Sequence, residues 1–95
     1  MEVHNLMEDI VKGCLKDLMQ HQASASVLEE KQQGDVMAIV LNRLPAKYVS
    51  TQQGEVFAKT QLRAQMETDV YRELSYAIEK VLQTERPSDL NPKKE

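Results

Sequence analysis

The sequence predicts a small all-α domain of four or five helices, with one long C-terminal helical segment, assembled as a homodimer. Three observations carry the helical reading. Apolar residues recur as adjacent pairs every four positions through about the first twenty residues. A nearly continuous apolar run, Val36 to Leu41, stops just short of Pro45. A helical pattern then persists from Val56 to Leu82. Such spacing lines one face of a helix, whereas a half-buried strand needs strict alternation.

The first helix is expected over about residues 5–20. Asn5 is placed to cap it, with Glu8 three residues on to close a capping box. Leu6, Met7, Ile10, Val11, Cys14, Leu15, Leu18 and Met19 then form one broad stripe, with Glu8, Asp9, Lys12, Lys16 and Asp17 opposite. Gly13 weakens this helix by about 1 kcal/mol relative to Ala. The small, polar stretch HQASASVLEEKQQG reads as a connection with one helical turn near Leu28. Asp35 is expected to cap a second, buried helix of about ten residues, which Pro45 stops by disfavouring the helical conformation at Leu44.

The long segment is expected to be capped by Ser50 or Thr51 and to end before Pro87. About 30 helical residues at 1.5 Å each would measure roughly 45 Å. A compact chain of this size has a diameter of only about 30 Å. The segment must therefore bend near Gly54–Lys59 or project, and projection leaves an apolar stripe for a second subunit to cover. The division expected is a helical domain over 1–86 and a flexible tail over 87–95, where two prolines and little apolar surface give nothing to bury.

Composition narrows the function. The 95 residues suffice for one domain, whose core must be aliphatic, since there is no Trp and a single Phe. One cysteine cannot form an internal disulfide, no signal segment opens the chain, and no apolar run could span a bilayer. A soluble, cytoplasmic protein is expected. The net charge of −3 argues against DNA as a partner. That charge is uneven: residues 36–66 hold Arg43, Lys47, Lys59 and Arg63 against Glu55 alone.

No catalytic or metal constellation stands out. His4 and His21 have no ligand partner at zinc-site spacing, and Cys14 falls in the apolar stripe. No serine lies in a nucleophile elbow, and no phosphate-binding glycine pattern is present. The expectation is a protein that is not an enzyme and needs no cofactor or metal. The cationic middle admits two readings. In the plainer one, Glu55 pairs with Lys59, Arg43 complements a helix C-terminus, and Tyr48 and Val49 plug the loop onto the core. In the other, Arg43 and Lys47 neutralise phosphate, Ser50, Thr51 and the next helix start supply donors, and Tyr48 stacks on a base.

The string DVMAIVLNRLPAKYVSTQQGE, followed by QLRAQMETDVYRELSYAIEKV, resembles the late competence protein ComFB family. The resemblance is carried by Ala38, Leu41, Asn42, Leu44, Pro45, Tyr48, Val49, Thr51, Gly54, Gln65, Asp69, Ala77, Ile78 and Val81, and covers about residues 4–83. It implies a non-enzymatic, cytoplasmic, helical homodimer that binds a cyclic dinucleotide, cyclic di-GMP or cyclic di-AMP, and signals to a downstream regulatory protein, with links to natural competence. The residues expected to meet that ligand are Asn42, Arg43, Lys47, Tyr48, Ser50, Thr51, Arg63, Gln65 and Asp69, the last accepting from a guanine edge. The cysteine cluster that many relatives carry after the first helix is absent here, so no zinc role carries over. The alternative function is a helical adaptor with no small-molecule ligand.

Overall fold

A computed structural model describes residues 2–50 and 54–84. The chain runs β1 (His4–Asn5), α1 (Leu6–His21), α2 (Ala23–Ser26), α3 (Glu30–Arg43), β2 (Tyr48–Val49) and α4 (Glu55–Thr84). Four helices among the described residues, the last of them long, are thus as expected. The expected tail over 87–95 lies outside the described residues.

The core is the aliphatic stripe of α1 closed by two other helices. Met7, Ile10, Val11, Cys14, Leu15 and Leu18 pack with Val36 and Val40 of α3 and with Val70, Leu74, Ala77, Ile78 and Val81 of α4. Ala25 of α2 and Leu28 seal one end. Two sets of polar pairs give the helix directions. Asp9 meets Lys59 and Asp17 meets Arg63, so α1 and α4 run parallel. Arg43, at the end of α3, meets Glu73, while Asp35, near its start, faces Thr84 across a hollow, so α3 runs antiparallel to α4.

Three local expectations are corrected. The turn expected near Leu28 lies earlier, as α2 over Ala23–Ser26. The second helix starts at Glu30 rather than after Asp35, because the Gln32 side chain reaches back to accept the Glu29 N–H at 2.8 Å. Gly34 keeps negative φ and sits exposed within α3, so the helix passes through it. The long helix begins at Glu55, with the Gly54 carbonyl accepting from the Ala58 N–H at 3.0 Å. Ser50 therefore lies outside the helix and does not cap it, and Thr51 falls outside the described residues.

That start resolves the choice between bending and projection. Helix α4 is continuous for 30 residues. The longest dimension is 51 Å and the radius of gyration 15.4 Å, against about 12 Å for a compact chain of this length. The front of α4 projects, and carries Val56 and Phe57 at 74% and 71% exposure.

Candidate anion-binding site

The connection between α3 and α4 is tied to the start of α1 by the Asn5 side chain and by backbone hydrogen bonds. The Asn5 Oδ1 accepts from the Met7 N–H at 3.1 Å, which is the expected cap, and from the Lys47 N–H at 2.8 Å. The free N–H of Leu6 donates to the Lys47 carbonyl at 2.7 Å. Asn5 pairs with Tyr48 and His4 with Val49 in a two-stranded antiparallel ladder. Helix starts leave orphan donors, and here the Lys47 backbone absorbs one of them. Glu8, expected to close the box, stays exposed.

This anchoring fixes the backbone and leaves the side chains outside. Lys47, Tyr48 and Ser50 are exposed, Tyr48 at 65%. No described residue forms an ion pair with Lys47. Tyr48 does not plug the core, although its neighbour Val49 is half-buried.

Arg43 is organised differently. Its Nε donates to a Glu73 carboxylate oxygen, and its guanidinium lies 4.4 Å from the centroid of the Tyr76 ring. These contacts hold the guanidinium while leaving its two terminal nitrogens for an anion, since an arginine offers five N–H donors. Arg43 and Lys47 are four residues apart, so their Cα atoms lie within about 14 Å of each other. Asn42 is exposed beside Arg43. Asp69, one turn before Glu73 on α4, accepts from Arg72 at 2.8 Å.

The remaining candidates lie elsewhere. Arg63 donates to Asp17 at 2.8 Å and lies 3.8 Å from Glu67, bracing α4 against α1. The Tyr71 hydroxyl approaches the same Asp17 oxygen at 3.5 Å and faces the buried Cys14 thiol. Burial pushes the Cys14 pKa up, and burial followed by the neighbouring thiol pushes Tyr71 up, so both groups are held protonated. Gln65 is exposed on α4. Two surface hollows, one lined by Gln22, Ser24, Ser75 and Glu79 and one by Asp35, Ile39 and Lys80, contain none of the expected ligand residues.

The structure thus divides the described part of the expected constellation into a loop group (Lys47, Tyr48, Ser50), an α3–α4 group (Asn42, Arg43, Asp69), and Arg63 and Gln65 nearer the start of α4, with Thr51 outside the described residues. Glu73 and Tyr76, which orient Arg43, and Asn5, which seats Lys47, were not legible as site residues. Only the position of Asn5 as a cap gave any signal, and that concerned the helix alone.

A model of the family described as late competence development protein ComFB matches residues 4–85. The chain belongs to the ComFB family. A solved structure of the late competence protein ComFB from Bacillus subtilis is 27% identical, covers 98% of this chain and 100% of that one, and superposes with a TM-score of 0.71. No curated protein matches. Among the described residues, no helix is long and apolar enough to cross a membrane. The ComFB fold therefore places the L-N-x-L-P-x-x-Y-V stretch, here Leu41 to Val49, across the end of α3 and the ladder that joins it to α1.

Proposed function

We propose that this ComFB-family chain is a non-enzymatic receptor for a cyclic dinucleotide, cyclic di-GMP or cyclic di-AMP, acting as a homodimer that passes its signal to a regulatory protein. The observation that carries the proposal is the anchored connection itself. A hydrogen-bonded backbone carries, within four consecutive residues, an ammonium with no ion-pair partner among the described residues, an exposed aromatic ring and a hydroxyl, the groups a phosphorylated base requires. Lys47 and the terminal nitrogens of Arg43 bind phosphate, Tyr48 stacks on a purine, and Ser50, with Thr51 beyond it, donates hydrogen bonds. Asn42 and Asp69 would border this surface on α3 and α4; Gln65 lies apart from it on α4, and Arg63 serves as a brace between helices.

A two-fold ligand suits a two-fold dimer, and the exposed Val56 and Phe57 lie on the projecting front of α4, beyond the same connection. Those two residues also favour the second reading, an adaptor whose helix docks a partner protein with no small ligand. A link to competence comes only from the family name.

Calorimetry with both cyclic dinucleotides tests the reading. One of them should bind, and Lys47→Ala should weaken binding by about 1.5–3 kcal/mol, the scale of a charge-assisted hydrogen bond, with helical content unchanged. Heat from neither ligand leaves the adaptor. Light scattering checks the assembly: a dimer mass is expected, and a monomer at micromolar concentration contradicts it.

A further inference from the structure

We propose that His4, Asp9 and Glu55 form a binding site for a divalent transition-metal ion of the Zn²⁺ and Co²⁺ type. These residues come from three elements: the strand β1, the first turn of α1 and the first turn of α4. Their donor atoms all lie within 4.8 Å of one another. The His4 Nε2 is 3.0 Å from a Glu55 oxygen and 3.6 Å from an Asp9 oxygen. Ligands bonded to tetrahedral zinc at about 2.1 Å stand about 3.4 Å apart, so two of the three separations already bracket that spacing.

The donor set selects the ion. One imidazole nitrogen with two carboxylates suits borderline metals, whereas Mg²⁺ and Ca²⁺ take oxygen donors alone. Three protein ligands leave a further position for water or an anion.

Simpler forces account for parts of the arrangement. Asp9 and Glu55 each lie in a first turn, where a carboxylate complements the helix dipole. The Lys59 ammonium is 3.6 Å from the Asp9 oxygen. Lys59 acts in this proposal as a competitor, holding by ion pairing a carboxylate that the metal would take. A bound ion would pin the front of α4 to β1 and α1, where apolar packing is sparse.

The test uses the full chain after chelator treatment, with CoCl₂ and ZnCl₂ as probes and no nucleotide, so its outcome is separate from that of the receptor reading. One Co²⁺ per chain should bind with visible absorption, be displaced by Zn²⁺, and be unaffected by excess Mg²⁺. His4→Ala, Asp9→Asn and Glu55→Gln should each weaken binding at least about tenfold, the lower end of what changes merely beside a metal ligand cause. Lys59→Met should strengthen it. The exposed His4 can be removed without disturbing the core, so His4→Ala carries the test even where another variant misfolds. Absence of saturable binding, equal affinity in His4→Ala, or weaker binding in Lys59→Met would overturn the site.

Discussion

The two halves of α4 are built on different physics, although they are one uninterrupted helix. From Val70 to Val81, five residues are buried against α1 and α3. From Glu55 to Asp69 no residue is fully buried; Leu62 and Met66 touch the core, and the helix is otherwise held by Glu55 with His4, Lys59 with Asp9, and Arg63 with Asp17. Apolar burial is worth about 25 cal/mol per Å², whereas exposed ion pairs are worth about 0–1 kcal/mol each. The rear half is therefore scaffold. The front half is adjustable, and it adjoins the connection that carries Lys47 and Tyr48.

The largest expected effect lies in the rear half. Leu74 is wholly buried, and Leu74→Ala should destabilise the fold by about 2–5 kcal/mol in denaturant titration. Leu62→Ala, at a half-buried position of the front half, should cost clearly less. Equal losses would erase the distinction between the halves.

A smaller effect of opposite sign is expected at Gly13. A methyl group there would meet the Arg63 guanidinium at 3.6 Å, an ordinary contact, and the backbone is not in the left-handed region. Gly13→Ala should stabilise the protein by about 0.5–1 kcal/mol. A loss would mean that the crossing of Arg63 over α1 is tighter than an ordinary contact allows.

Smaller again is the coupling of Arg63 with Asp17. A double-mutant cycle should return at most about 1 kcal/mol, because both side chains are more than a third exposed. It should fade in about 1 M salt, where screening acts within about 3 Å. A larger, salt-insensitive coupling would make the front half as rigid as the rear.

The last effect is one of pH, at the boundary between the halves. Cys14 has a folded-state pKa raised above its ordinary 9.0, chiefly by burial. Below that value thiol and unfolded chain bind the same proton, and the stabilisation is whole. Above it the unfolded chain releases the proton first, so stability falls as pH rises toward the folded pKa. Tyr71 shifts in the same direction. Replacing Cys14 with Ala should flatten the decline in melting temperature above pH 9; an unchanged decline would assign it to other groups.

The fold was legible wherever burial repeats at helical spacing. The paired apolar residues of α1, the stop before Pro45 and the length of α4 all follow from periodicity and proline sterics. Helix starts were less legible, because Glu29 and Gly54 are weak textual signals beside Asp35 and Ser50. The candidate site was half legible. Lys47, Tyr48 and Ser50 stood out by residue type, but whether a cation is free depends on its partners. Nothing near Arg43 or Arg63 in the chain announces Glu73 or Asp17. The meeting of His4 with Glu55 was invisible for the same reason: no local spacing encodes it.

Hydrogen exchange, measured with and without each cyclic dinucleotide, tests the proposed receptor surface most directly. The account predicts that one ligand slows exchange in residues 44–50 and 54–63 and leaves 70–82 unchanged. No change with either ligand, or protection confined to 70–82, would contradict it.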